Sequence, residues 1–183
     1  MILVTIMTAK KLHEQAVALF RKEDYDSALE KFDAALEAAV DDPERQALIY
    51  NDMGVTYKQL DDYTAAHEAL DKAMNLFEAR EDYKGLAQTV GNRATVYEAE
   101  GELEDAVEHY RASAAKLEEL GENEAAMYVW QALSRLRMKE KQYIAAIGAY
   151  EEGIDNMPEG SFKRKVLQKI LKLPGNLIGR AGQ

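Results

Sequence analysis

Side chains able to do acid–base, nucleophilic or metal chemistry are scattered through this chain. Its three histidines, His13, His67 and His109, show no His-x-x-x-His or His-x-x-Glu-His spacing. His67 precedes Glu68, a pair that reads as a solvated one. Neither Ser113 nor Ser134 lies in a Gly-x-Ser-x-Gly turn, and there is no Gly-rich phosphate loop. The carboxylate pairs Glu118-Glu119 and Glu151-Glu152 fall on helix faces that read as wet. The chain has no cysteine, which excludes disulfides and thiolate metal sites. The residue types therefore predict no catalysis, no metal and no cofactor.

What does recur is packing. Ala28, Ala66, Ala106 and Ala146 mark four stretches at spacings of 38, 40 and 40 residues. Phe32, Leu70, Tyr110 and Tyr150 follow each marker by four, and Ala35, Ala73, Ser113 and Gly153 follow by seven. Tyr25, Tyr63, Leu103 and Tyr143 precede by three. Twelve before each marker stands a small residue, namely Ala16, Gly54, Ala94 and Ser134. Four further back stands a bulky one, namely Leu12, Tyr50, Val90 and Trp130. Leu19, Tyr57, Tyr97 and Arg137 lie nine before the marker. A period of this size means stacked supersecondary units, not one globule around a single catalytic centre.

Small residues suit places where helix axes approach to about 8–10 Å, and an aromatic one turn away fills the space beside each. Ala66, Leu70, Ala73, Met74 and Phe77 line one side of a helix. Turn signals at Asp41-Asp42-Pro43, Asp61-Asp62, Gly101 and Gly121 separate the helices. First helices are predicted over 9–22, 45–60, 84–99 and 123–139, and second helices over 25–39, 63–79, 103–119 and 143–156.

Bulky-x-x-x-small-x-x-aromatic, a turn, then Tyr-x-x-Ala-x-x-x-aromatic resembles the tetratricopeptide repeat. The second unit is the nearest match, through Tyr50, Met53, Gly54, Tyr57, Ala66, Leu70 and Ala73. The resemblance spans roughly residues 9–156. It implies an all-α, right-handed α-α superhelix of four helical hairpins in residues 9–158. Residues 1–8 are read as an N-terminal extension, with Met7 an alternative start to Met1. Residues 159–183 are read as a basic amphipathic capping helix and tail. The family period is about 34, so a period near 40 adds nearly one turn of about 3.6 residues to each helix and resembles the long-repeat subgroup that binds extended peptides.

The resemblance implies a non-catalytic protein–protein interaction scaffold or adaptor that takes a partner peptide or protein in its concave groove. The alternative is a homo-oligomerisation module joined through its termini. In the family, first helices line the groove. Carried over, the groove positions are Lys10, His13, Glu14 and Val17, then Leu48, Asn51, Asp52 and Val55. They continue with Gln88, Gly91, Asn92 and Thr95, then Tyr128, Gln131, Ala132 and Arg135. An amide donates and accepts at once, so Asn51, Asn92 and Gln131 are expected to hold a peptide backbone. Leu48, Val55, Tyr128 and Arg135 are expected to set selectivity. Replacing Asn51 and Asn92 by Ala is expected to remove binding and leave stability unchanged. Chaperone-binding members grip a terminal carboxylate with lysines, arginine and asparagines. The matching places here hold His13, Val17, Asp52, Gln88 and Asn92, so no such clamp is expected.

Net charge is −10. Lys163, Arg164, Lys165, Lys169, Lys172 and Arg180 are the only charged residues after Glu159, which leaves −16 on the rest. Such a body is expected to repel nucleic acid and favour a neutral or basic partner segment. No apolar run approaches 18 residues, so no membrane span is expected, and a cytoplasmic location fits the absence of cysteine. In the tail, Phe162, Val166, Leu167, Ile170, Leu171 and Leu173 share one half of a helical wheel, read as a cap. A membrane anchor and a dimer contact are the other readings. Arg93 stands in a column that elsewhere holds Met53 and Leu133, so its guanidinium is expected either to reach solvent or, in the preferred reading, to pair with a neighbouring carboxylate such as Asp52 or Glu98.

Overall fold

The chain announces its helices at their starts. Asp42, Asp62 and Asp82 each accept a hydrogen bond from the backbone N–H three residues on, in Arg45, Ala65 and Gly85. An N-terminal carboxylate satisfies an orphan donor and complements the helix dipole. Pro43 follows Asp42 as the first helical residue, where its missing N–H costs nothing. The computed structural model describes residues 2–157, 159–161, 164–165 and 169. The capping-helix expectation over 159–183 falls mostly outside these.

Among the described residues there are eight helices and no strand. They are α1 (Ile2–Phe20), α2 (Tyr25–Ala38), α3 (Pro43–Gln59), α4 (Tyr63–Ala79), α5 (Tyr83–Glu100), α6 (Leu103–Glu119), α7 (Asn123–Lys139) and α8 (Tyr143–Asp155). The expected positions agree within a few residues, except that α1 starts at Ile2 and takes in the stretch read as an extension. Tight turns between helices reach left-handed backbone. Gly101 and Gly121 do so freely at φ 90° and 73°. Glu23, Asp61, Glu81 and Lys141 do so with a side chain, at φ between 55° and 62°.

The marker columns are the core. Ala28, Ala66 and Ala106 are wholly buried and Ala146 nearly so, with Phe32, Leu70 and Tyr110 buried one turn on. Gly54 shows why its column must be small: a Cβ there would lie 2.6 Å from Leu70 Cγ on the facing helix. Ser134, in the same column, satisfies its buried hydroxyl by donating to the Ala146 carbonyl at 2.8 Å. The bulky column residues Leu12, Tyr50, Val90 and Trp130 wrap these close approaches and stay half-buried.

Every helix packs on its neighbour in sequence. First helices also touch one another, as α1 with α3, α3 with α5 and α5 with α7, and second helices show no such contact among the described residues. A stack drawn together on one side and splayed on the other curves. The result is an all-α solenoid whose inner layer is α1, α3, α5 and α7. No described helix is long and apolar enough to cross a membrane.

Candidate functional site

The inner face is built from first-helix positions three and four apart, and its polar residues are joined across helices. The residue fifteen before a marker reaches the residue fourteen before the next marker. His13 Nε2 meets Asp52 Oδ2 at 2.8 Å, and Asn92 Nδ2 donates to Asn51 Oδ1 at 2.8 Å. Asn51 Nδ2 donates to Asp52 Oδ1 at 3.3 Å, which joins the two links into one chain across α1, α3 and α5. The Thr89 hydroxyl lies 3.1 Å from Asn51 Oδ1 and 2.9 Å from the Gly85 carbonyl; its single proton serves one acceptor at a time.

Asn51 is therefore a structural hub. Its oxygen faces two internal donors, and its N–H₂ is partly committed to Asp52, so any contact of Asn51 with a peptide would share groups already bonded within the chain. Asn92 spends one side-chain donor, and its side-chain oxygen makes no hydrogen bond among the described residues. Gln88 is exposed on the same face.

The next junction breaks the series. Here the two linking positions hold Gly91 and Ala132, which cannot bond. Gly91 is glycine for a local reason: a Cβ there would lie 2.9 Å from the Ser113 oxygen on α6. Ser113 cannot turn away, because its hydroxyl donates to the Ala87 carbonyl at 2.7 Å. At the equivalent positions of the first two hairpins the residues are larger on the first helix and smaller on the second, His13 with Ala35 and Asn51 with Ala73. In the third the sizes are exchanged. The space left open is a hollow of about 380 Å³ whose walls include Gly91, Asn92, Ala125, Tyr128, Val129 and Ala132.

A second hollow of about 270 Å³ lies on the other side of the Asn51–Asn92 pair, against Val17, Phe20, Arg21 and Val55. A third, of about 470 Å³, opens at the last hairpin beside Gln131, Arg135, Met138, Lys139 and Tyr150. The structure thus brings Asn51, Asn92 and Tyr128 to one hollow, Val55 to the adjoining one, and Gln131 and Arg135 to the third. Leu48 is exposed and lines none of the three. Gln131 stands in the linking column of α7, near Gly153 on α8, and makes no side-chain hydrogen bond among the described residues. Thr89, Arg21 and Met138 were not singled out from sequence; Thr89 and Met138 follow a groove residue by one and three positions, which names their helix but not their direction.

Cations mark this face. Lys58 Nζ donates to Thr95 Oγ1 at 3.2 Å, and burial pushes its ammonium below the ordinary lysine range, against the pull of Glu98. Lys139 meets Glu98 at 2.6 Å, and the Tyr110 hydroxyl donates to the same carboxylate at 3.0 Å. Burial, then the Glu98 charge and hydrogen bond, raise the Tyr110 phenol well above its usual value, with Arg135 opposing. Arg135 is exposed and makes no ion pair among the described residues. Arg93 does find a carboxylate, but it is neither of the expected ones. Asp71, on α4, meets it at 2.7 Å, because the column faces the preceding hairpin's second helix. Among the described residues no three His, Asp or Glu side chains gather as a metal cage.

Comparison with known proteins comes back to the same architecture. Residues 7–79 match the family model described as tetratricopeptide repeat. Among solved structures, the chain is similar to BtubC (BKLC) from P. vanneervenii, with 15% identity over 93% of this chain and 82% of that one, at a TM-score of 0.66. It is also similar to the N-terminal domain of stress-induced protein-1 (STI-1) from C. elegans, with 19% identity over 61% of this chain and 86% of that one, at a TM-score of 0.51. At these identities the likeness is one of fold. Repeats of this family are in general protein-interaction scaffolds, and that general role fits the solenoid. The match to the tetratricopeptide repeat model covers residues 7–79, which span α2–α4 and most of α1, and α5–α8 continue the same helical-hairpin fold in phase.

Proposed function

We propose that the chain holds an extended segment of a partner protein along the inner face of α3, α5 and α7. The observation that carries this reading is the pair of adjoining hollows on either side of the Asn51–Asn92 link. A peptide laid across them meets an anchored amide ridge with an apolar depression to each side. Binding sites combine mostly apolar walls with a few fixed polar groups. Asn92 and Gln88 then serve the peptide backbone, while Val55, Tyr128 and Arg135 meet its side chains. Asn51 holds Asn92 in place.

The test is affinity capture from a lysate of the source organism, with Gln88→Ala/Tyr128→Ala beside the wild type. Both residues are exposed, so the variant should melt within about 0.5 kcal/mol of the parent. A protein kept by the wild type and lost by the folded variant supports the groove. Identical recovery by both baits sinks it.

A second reading, self-association through the last hairpin, rests on α8. Ile144 is 88% exposed, with Ile147 and Tyr143 half exposed beside it. The equivalent of Ile144 in earlier hairpins is polar and exposed, as Asp26, Thr64 and Glu104. Light scattering on Ile144→Lys/Ile147→Lys decides: a mass that halves supports a dimer through α8, and a mass that does not change rejects it.

A further inference from the structure

From the open junction between the third and fourth hairpins, we infer that the partner segment is acidic and carries one bulky apolar side chain, which seats in the hollow between Gly91 and Ala132 while a neighbouring carboxylate pairs with Arg135. This rests on the groove reading above and specifies its ligand.

The first support is the broken link. Elsewhere along the inner face, the junction between first helices is closed by a polar pair, His13–Asp52 and then Asn51–Asn92. Here Gly91 and Ala132 at those same positions leave a depression of about 380 Å³ walled by Ala125, Tyr128 and Val129, and the polar pair that joins α5 to α7, Glu98–Lys139, stands elsewhere on the two helices. Tyr128 is 58% exposed at its edge. An apolar hollow open to water gains by taking an apolar group, about 1.5–3 kcal/mol for a leucine- or phenylalanine-sized side chain. One such anchor in a pocket commonly dominates an interface.

The second support is charge. The body of the chain is strongly acidic, at −16 before the basic tail. The inner face is not. On the positions eighteen, fifteen, fourteen, eleven, eight and seven before each marker stand Lys10, Arg21, Lys58, Arg135 and Lys139 against Glu14, Asp52 and Glu98, a balance of +2. The carboxylates are already engaged. Asp52 meets His13, Glu98 meets Lys139 and Tyr110, and Glu14 lies 3.9 Å from Lys10. Arg135 has no ion pair among the described residues. Surface charges are screened within about 8 Å at physiological salt, so the local cations govern a bound segment more than the distant acidic body does. This reverses the neutral or basic partner expected from net charge alone.

The experiment uses the full chain and a panel of fluorescent nonapeptides in a Gly/Ser background, read by polarization. One peptide has a central Leu flanked by Glu, one has Leu flanked by Lys, and one has Glu with Ser in place of Leu. The Glu/Leu peptide is expected to bind best, by about tenfold over either of the others. Arg135→Glu should reverse the preference between Glu and Lys flanks. Ala132→Leu, which fills the hollow, should erase the preference for Leu over Ser. Thermal melts confirm that each variant is folded, and Tyr128→Ala, at an exposed position, serves if Ala132→Leu is not. Peptides that bind in a manner lost on Gln88→Ala, yet ignore both substitutions or favour Lys flanks, overturn this inference and leave the groove reading standing. If no peptide responds to Gln88→Ala, both fall.

Discussion

The junction between the second and third hairpins is closed at the linking positions by amides, and the one between the third and fourth is left open there. In the first, Asn51, Asn92 and Thr89 cross from α3 to α5 through side-chain hydrogen bonds. In the second, Gly91 and Ala132 leave a hollow between α5 and α7, the Lys139–Glu98 ion pair joins these two helices, and α7 packs on α6 through Val107, Tyr110, Leu133 and Leu136. Their turns differ in the same sense. The turn into α5 forces Glu81 to φ 55° and then caps the helix with Asp82; the turn into α7 uses Gly121 and then Glu122, which makes no cap. A repeat solenoid can fill the linking positions of a junction with bonded side chains or leave a hollow at them, and this chain does one beside the other.

The contrast breaks most severely at Gly91. Gly91→Ala puts a methyl against the Ser113 oxygen in a packed interior and should cost about 1–3 kcal/mol. Ser113→Ala in the same chain should recover part of that loss, and chemical denaturation of the single and double variants measures the recovery. If the two substitutions simply add, the exchange of sizes across this hairpin is wrong.

Next is the polar side. Asn51→Leu strands the Asn92 donor and removes a donor from Asp52, a loss of about 1–2 kcal/mol. Ala132→Leu at the open junction should change stability by less than about 0.5 kcal/mol. Equal melting shifts for the two would erase the distinction between a linked and an open junction.

Tyr110→Phe sharpens the comparison through pH. At neutral pH the lost bond to Glu98 should cost about 1 kcal/mol. The folded phenol titrates above its ordinary value of 10.0, so the unfolded tyrosine ionises first as pH rises. Its contribution is complete below pH 10 and is lost above it. The gap between wild type and Tyr110→Phe should therefore narrow on going from pH 9 to pH 11, and a constant gap would contradict the raised value.

Smallest are the turns. Glu81→Gly should relieve left-handed backbone and stabilise by about 0.5–1 kcal/mol, while Gly121→Ala should lose about 1 kcal/mol. Melting curves of the two variants that moved the same way would rule out the backbone argument.

The repeating columns made the fold readable, because burial at Ala28, Ala66, Ala106 and Ala146 depends on spacing alone. The Asp-capped turns were equally visible. Four left-handed turn residues were not, since Glu23, Asp61, Glu81 and Lys141 carry no glycine signature. The groove positions could be carried over from the family, but not what they touch. The link between hairpins joins one column to a different column of the next unit, so aligning columns with themselves conceals it. Arg93 shows the same limit: its partner Asp71 lies on a second helix, and choosing it over Asp52 or Glu98 requires the packing angle. The opening at Gly91 was written in the sequence as a Gly/Ser exchange, legible only once Ser113 was seen to face it.

Gln131 carries the linking column into the last described hairpin. Its side chain occupies the linking column of the last hairpin and makes no hydrogen bond among the described residues. A designer could lengthen the solenoid there by adding a unit that carries Asp or Asn fourteen positions before its own marker alanine. The same edge would then act as a modular coupling, with Gln131 as the half already installed.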